Sequence, residues 1–450
     1  MKELNAINKV KIVTELPGPK AREIIKRDEK YLATSTKVLP VVAYKGSGCY
    51  IEDVDKNVFL DFSSGISTTN VGYSNEYLIS KVEEQLHKLW HFAGTDFYYE
   101  EQVNAAEALI NIMPGSRDKK VFFTNSGTES NEASLKFARS YTKRPKFIGF
   151  IGGFHGRTMG SLAFTASKAG QHENFFPEMD GVTHIPYPDP YRNPFNIDGY
   201  ENPDDLTNAV LDYLDEYVFD KFVPSNSVAG ILVEPIQGEG GYIVPPGDFH
   251  KKLMEMAHDN DILYIMDEVQ TGFGRTGHFF ASEYFGVDPD IMSIAKSIAS
   301  GIPMGASVVK DKYNFEKSGL HSNTFGGNLL ASVASMATIE EIKKKDMIKN
   351  SKENGDYLNK RLRELQEKYD AIGDVRGLGL MQAIDFVKNR KTKAHFASLR
   401  NKIEENAYHN GLILLGAGES AIRFIPPLII KKEEIDNAME ILDRAIKDSL

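Results

Sequence analysis

The sequence predicts an α/β protein: a mostly parallel sheet with helices on both faces, joined to a smaller α+β module drawn from the two ends of the chain. Two observations carry this reading. From Val121 onward, short apolar runs without strict alternation recur between helical patterns, which is how strands buried on both faces read. On either side of that stretch the periodicity changes, to alternating runs before Phe62 and to long helical patterns after Asn328.

Taken in order, Pro17-Gly18-Pro19 opens a charged helix from Lys20 to Leu32. Short strands follow between Val41 and Phe62, with turn signals at Gly46 and Gly48 and at Asp55-Lys56-Asn57. Tyr77 to Met113 reads as two helices broken around Ala93-Gly94-Thr95. Strands are then expected at Val121–Thr124, Phe147–Phe150, Val228–Val233, Ile262–Met266, Ile291–Ile294 and Ala306–Val309, with helices at Glu129–Tyr141, Asp204–Phe222 and Asp248–His258. The Pro- and Asp-rich stretch from Tyr187 to Asp205 reads as a long surface loop. Helices from Asn328 to Lys344 and Met347 to Tyr369 lead to Gly373-Asp374-Val375-Arg376-Gly377-Leu378-Gly379. A strand from Leu380 to Val387, a helix ending at Tyr408 and a closing helix from Lys432 complete the chain. The expected division is residues 1–75 and 346–450 in the small domain and residues 76–345 in the large one.

Composition narrows the function. The balance of 53 basic against 63 acidic side chains gives a formal charge of −10, a poor footprint for nucleic acid or an anionic membrane. A single cysteine, Cys49, offers neither an intrachain disulfide nor a thiolate metal cluster, and a reducing, cytoplasmic setting is the expectation. The first ten residues are too charged for a signal-peptide core. No apolar stretch approaches the roughly 20 residues of a membrane span.

Chemistry gathers at strand ends. Lys296 closes the run that begins at Asp290, and Asp267 closes the run that begins at Ile262. An amine among apolar residues loses hydration of its charged form and becomes a nucleophile toward an aldehyde. A carboxylate at a neighbouring strand end can keep a pyridine nitrogen protonated, and the pair together suits pyridoxal phosphate. Ser126, Gly127 and Thr128 stand between a strand and a helix; the segment alone reads first as a plain N-cap, and its glycine and strand-turn-helix setting also suit a phosphate. Phe154 or His155, in Gly152-Gly153-Phe154-His155-Gly156-Arg157, could cover a ring, and Arg157 could hold a carboxylate. Glu234-Pro235-Ile236-Gln237-Gly238-Glu239 brings two acids to another strand end, where an acid could gate an arginine. Two patterns point elsewhere and fail. Gly272-Phe273-Gly274-Arg275-Thr276-Gly277 matches G-x-G-x-x-G, but Glu268 to Thr271 intervene after the strand and no helix pattern follows. His87 and His91 have zinc-ligand spacing without the glutamate that should follow the first, and no metal is expected.

In one order, Ser126-Gly127-Thr128, Phe154-His155-Gly156-Arg157, Glu234 to Glu239, Asp267 to Gln270 and Lys296 resemble the class III aminotransferases, pyridoxal phosphate enzymes of fold type I. The resemblance spans from about Ala43 to the C-terminus and implies a large domain with a seven-stranded sheet plus a small α+β domain. It makes Lys296 the lysine that holds the cofactor as a Schiff base and later moves the substrate proton, and Asp267 the partner of the pyridine nitrogen. Gln270 would lie near the phenolic oxygen, Phe154 or His155 over the ring, and Ser126, Gly127 and Thr128 around the phosphate. Thr324, in His321 to Gly327, matches a threonine that reaches the neighbouring subunit's phosphate, implying a homodimer or a dimer of dimers. Arg423 matches the arginine for an α-carboxylate, Glu239 the acid that neutralises it, and Arg157 the holder of a distal carboxylate. Ile66 and Val269 match the 4-aminobutyrate type, where ornithine enzymes tend to carry tyrosine at the position of Ile66. The implied activity is ping-pong transfer of an amino group from an ω-amino acid such as 4-aminobutyrate, or another amino acid, to 2-oxoglutarate. Archaeal-type amino acid racemases share the same scaffold and are the alternative.

Overall fold

The computed structural model describes residues 7–450, and its centre is a seven-stranded sheet. Across the sheet the strands run Lys119–Thr124, Gly305–Lys310, Ile291–Ile294, Leu263–Asp267, Val228–Val233, Lys146–Phe150 and Val182–Ile185. Neighbours are parallel except around Gly305–Lys310, which is antiparallel to both strands beside it. Tyr264 and Met266 pack with Phe249, Leu253 and Ala257, whereas Leu263 and Ile265 pack with Leu135, Phe137 and Ala138. Successive side chains of a strand point to opposite faces, so each face has its own covering helix, Phe249–Asp259 on one and Gly127–Thr142 on the other.

Both ends of the chain build the smaller α+β part. Ala43–Ser47, Tyr50–Asp53 and Val58–Asp61 form an antiparallel set, which Leu412–Ile413 joins in parallel beside Val58–Asp61. A third sheet contains Ile372–Leu378, Met381–Asn389, Ala421–Phe424 and Leu415–Ala417. Helices Met347–Lys368, Ala397–His409 and Lys432–Lys447 pack on these sheets. No helix among the described residues is long and apolar enough to cross a membrane, and no group of His, Cys, Asp and Glu there could hold a metal ion.

The structure departs from the sequence reading in four places. Val182–Ile185 forms the seventh strand of the sheet; it is an edge strand, mostly half-buried and polar at Thr183 and His184, so it carries no apolar run. Gly373 to Gly379 has no element in the sequence reading, yet Ile372–Leu378 is a strand paired antiparallel with Met381–Asn389. Gly377 makes the close pairing possible: it has φ +143°, and a Cβ there would fall 2.1 Å from the Met381 carbonyl oxygen. The helix expected over Asp204–Phe222 is α-helical only at Pro203–Asp212 and continues as a π-helix over Tyr213–Phe219. Finally, the stretch from Tyr187 to Asp205 is more than a surface loop. Its Arg192 pairs with Asp385 at 2.7 Å and the Tyr200 hydroxyl donates to Asp374 at 2.9 Å, fastening the central sheet to the small one.

The glycine-rich Gly272–Gly277 segment is buried and serves the fold. Arg275 is fully buried within it. Its Nε donates to Ser67 Oγ at 3.2 Å, its Nη1 to the carbonyls of Leu380 (3.0 Å) and Pro426, and its Nη2 to Asn70 Oδ1. Burial pushes its guanidinium down to about 10, since its hydrogen-bonding partners are uncharged oxygens. Replacing Arg275 with Met should therefore leave several buried acceptors without donors, at roughly 1–3 kcal/mol each. The expected outcome is a loss of about 3 kcal/mol or more of stability in urea denaturation, with Arg275→Lys recovering only part. A midpoint equal to that of the parent would refute this role.

Candidate active site

Leu263–Asp267 and Ile291–Ile294 lie side by side in parallel, with Asp267 opposite Ser293. Asp267 and the chain leading to Lys296 therefore emerge at one edge of the sheet, where ligands of open α/β sheets gather. A cleft of about 450 Å³ opens there, and Ser126, Gly127, Thr128, Phe154, His155, Arg157, Glu239, Asp267, Gln270 and Lys296 line it. Segments far apart in the sequence thus meet in one place.

At the floor of the cleft, Asp267 is 4% exposed and its carboxylate accepts from the Val269 amide at 3.0 Å and Asn131 Nδ2 at 2.8 Å. His155 Nδ1 lies 2.8 Å from the same oxygen that Asn131 meets. Burial works against a charged imidazole at His155, but the Asp267 carboxylate overcomes it and holds the ring above the usual histidine range. Burial also pushes the Lys296 amine down to about 8; Asp267 opposes that shift and Arg423 adds to it. Lys296 itself sits at φ +46°, a left-handed backbone in a non-glycine residue, which costs energy and is found where surrounding structure enforces it.

A second strained stretch stands nearby. Ser64, Gly65, Ile66 and Ser67 have φ of +51°, +59°, +63° and +59° in succession, a left-handed turn that costs roughly 1–2 kcal/mol for each non-glycine residue. The Asp61 carboxylate accepts from the amides of Ser63 and Ser64 at 2.8 Å each. Ser297 Oγ donates to the Ser67 carbonyl at 2.5 Å, and Ser67 Oγ donates to the Gln270 carbonyl at 3.3 Å. These bonds tie the turn to the residues that follow Lys296 and Asp267.

The helix Gly127–Thr142 begins at the cleft with Ser126 as its N-cap, whose Oγ accepts from the Glu129 amide at 3.3 Å. Capping leaves the first amides of the helix, at Gly127 and Thr128, without intrahelical partners, facing the region where an anion is favoured. A Cβ at Gly127 would lie 2.8 Å from Val269 Cγ1, so the residue must be small. Thr128 Oγ1 lies 2.8 Å from Thr158 Oγ1.

Two acids of the 234–239 segment do different work. Glu234 is buried and accepts from the amides of Phe154 and Gly238, each at 2.9 Å. It thereby holds both the turn carrying Phe154 and the turn carrying Glu239. Burial pushes its carboxyl up to about 7. Glu239 lies between two cations: Oε2 is 3.2 Å from Arg423 Nη1 and Oε1 is 2.8 Å from Lys168 Nζ. Burial works against its charge, but Arg423 and Lys168 hold the carboxyl below the usual range. Arg423 comes from the strand Ala421–Phe424 of the small module, and the Gly418 amide donates to the Glu239 carbonyl at 2.7 Å.

The remaining sequence candidates sit less centrally. Arg157 is exposed at the mouth, its guanidinium 5.5 Å from the centre of the Phe154 ring, with no ion-pair partner among the described residues. Ile66 is 44% exposed on the left-handed turn, and Thr68 just after it lines the cleft. Thr324 is exposed outside the cleft. Sequence reasoning missed Asn131, Glu234's positioning role, Thr68 and Lys168. Only Asn131 had a signal, one helical turn after Gly127 on the same face.

The donor set fits pyridoxal phosphate. A half-buried amine with a depressed pKa, a desolvated carboxylate on the floor and a helix N-terminus at one end suit an aldehyde, a ring nitrogen and a phosphate respectively. Gln270 Oε1 is buried without a partner among the described residues, leaving it free for a ligand.

Comparison with known proteins matches the family described as aminotransferase class-III over residues 31–446. The alanine/serine racemase of Pyrococcus horikoshii is 40% identical over 98% of this chain and 93% of its own. The 4-aminobutyrate aminotransferase of Mycobacterium leprae is 37% identical over 97% and 98%. The solved structure of taurine:2-oxoglutarate aminotransferase from Bifidobacterium kashiwanohense, in complex with PLP and glutamate, has a TM-score of 0.89 at 28% identity, covering 97% of this chain and 98% of that one.

A pH titration tests the electrostatics of the floor. In cofactor-free protein, labelling of Lys296 by an amine-selective reagent, followed by mass spectrometry, should have its midpoint near the amine's value of about 8. Asp267→Asn should move it lower, because the carboxylate favours the ammonium form. A midpoint in the ordinary lysine range, about 10.4, would contradict the burial effect.

Proposed function

The chain belongs to the class III aminotransferases, and from that premise we propose that it transfers an amino group to 2-oxoglutarate in two half-reactions, from an ω-amino acid such as 4-aminobutyrate or from another amino acid. Its cofactor is pyridoxal 5′-phosphate. When bound, this group supplies an aldehyde that condenses with amines and a ring that takes up an electron pair from the substrate carbon.

The chain's own residues supply the rest. Lys296 Nζ, pushed down to about 8 by burial, would take the proton from the donor carbon that bears nitrogen in one half-reaction and deliver a proton to the corresponding carbon of the new glutamate in the other. Asp267, oriented by Asn131 and His155, would set its side chain against the ring nitrogen. Phe154 and His155 would flank the ring, Gln270 the phenolic oxygen, and Ser126, Gly127 and Thr128 the phosphate. Arg157 would hold a distal carboxylate and Ile66 part of the substrate wall.

The observation that carries the reading is Glu239 resting on Arg423 at 3.2 Å. A donor whose amine lies far from its carboxylate leaves this pair closed. Glutamate brings an α-carboxylate that can take the arginine once the acid moves aside. One pocket can then serve both substrates of a ping-pong cycle.

Racemisation is the second reading, favoured by the 40% identity to a racemase. It needs a proton donor on the face opposite Lys296. Glu239, held ionised by two cations, is a poor donor, whereas Glu234, pushed up to about 7 by burial in the same cleft, is the acid that could serve. The Glu239–Arg423 pair is what favours transamination.

A homodimer, or a dimer of dimers, would complete the site with Thr324 from the neighbouring subunit. Exposed aromatic residues support such an interface: Trp90, Phe92, Phe97, Tyr98 and Phe325 are all exposed, and the His91 ring lies 4.9 Å from that of Phe325. A reducing, cytoplasmic setting remains the expectation for this chemistry.

L-glutamate given alone to the holoenzyme should shift the absorbance of the bound cofactor and release one 2-oxoglutarate per site. A donor panel with 2-oxoglutarate should then yield glutamate, and Lys296→Ala should slow turnover by about 100-fold or more. Incubation of single L-amino acids without an oxo acid, followed by chiral analysis, separates the readings. An unchanged spectrum with glutamate together with accumulating D-enantiomer would make racemisation the activity.

A further inference from the structure

Three charges meet at the outer end of the cleft. Arg423 and Glu239 alone would form a neutral pair, but Lys168, from the irregular segment ahead of the Ala169–Gln171 turn, brings a second cation to the same carboxylate. The side chains differ in exposure: Arg423 is 8% exposed, Glu239 21% and Lys168 43%. The two contacts use different carboxylate oxygens, Oε2 toward Arg423 and Oε1 toward Lys168. Glu239 can therefore release one cation and keep the other by side-chain rotation, while its backbone stays fixed by the Gly418 amide.

This matters because a largely buried carboxylate that loses its only cation pays heavily in desolvation. With Arg423 alone, a ligand carboxylate taking the arginine would strand Glu239. Lys168 removes that penalty, since its flexible stem and three donors can follow the acid. The other acid facing these cations, Glu404 on the helix Ala397–His409, is a weak competitor. Burial pushes its carboxyl up to about 7, and its nearest ion-pair partner is Arg400 at 3.6 Å.

We propose that Lys168 is a specificity-determining, positioning residue: it is the second dock of Glu239, holding the acid when an α-carboxylate occupies Arg423, and so permits dicarboxylate substrates. The proposal rests on the reading of Arg423 as a carboxylate site.

Unreactive acids test it on the holoenzyme by titration calorimetry. Glutarate presents a carboxylate to Arg423 as well as a distal one, whereas butyrate presents only one carboxylate and leaves Glu239 in place. Lys168→Gln should weaken glutarate at least about fivefold more than butyrate, and Lys168→Arg should restore glutarate to within about threefold of the parent. A general structural defect would weaken both acids alike. A glutarate loss less than about fivefold beyond that of butyrate overturns the role of Lys168. Arg423→Gln is the control for the underlying reading. If it leaves glutarate affinity intact, Arg423 is not the carboxylate site and the proposal falls with it. If it abolishes glutarate binding while Lys168→Gln does not, only the second dock is refuted.

Discussion

Burial of one guanidinium with no carboxylate among its hydrogen-bonding partners organises the molecule. Arg275 has neutral oxygens as its hydrogen-bonding partners, from Ser67 and Asn70 on the N-terminal side and from Leu380 and Pro426 on the C-terminal side. Two of these partners belong to segments that reach toward the cleft. Ser67 ends the left-handed turn, and Pro426 follows the strand that carries Arg423. A buried cation must keep all its acceptors or lose stability steeply, so the small module can sit on the large sheet in few ways. The spacing between Arg423 and Glu239 follows from that seating.

Much of this was legible in the sequence because it depends on short-range patterns. Asp267 and Lys296 end apolar runs, and apolar runs without alternation make buried parallel strands. Ser126 to Thr128 read as a helix start because capping is local. What escaped was either polar or long-range. The edge strand Val182–Ile185 has no apolar run to display. Asn131 meets Asp267 across 136 positions, and Lys168 meets Glu239 across 71. Nothing in the residues around Lys168 marks it as more than a surface lysine. The Gly272–Gly277 segment is the converse, a pattern that suggests a nucleotide and serves packing.

Acids in the cleft divide their labour by environment. Asp267 is met by Asn131, His155 and a backbone amide, Glu239 by two cations, and Glu234 by backbone amides alone. Burial, without a paired cation, pushes the Glu234 carboxyl up to about 7, whereas Arg423 and Lys168 hold Glu239 below the usual range. Asp267 adds to the upward push on Glu234, so the neighbouring acids of the cleft do not share one environment. The arrangement also separates the groups in space, with Asp267 at the floor and Glu239 with its two cations at the outer end.

The left-handed turn from Ser64 to Ser67 bears on how this pocket can diversify. A β-branched residue at positive φ, as at Ile66, is an outlier, so the wall there is set by the backbone before any side chain is chosen. Glycine or asparagine would relieve strain at that position and open the wall in one step, whereas another branched residue would keep both the strain and the shape. Evolution or a laboratory library exploring new donors would find stability and breadth of substrate rising together here, the reverse of the usual trade between them.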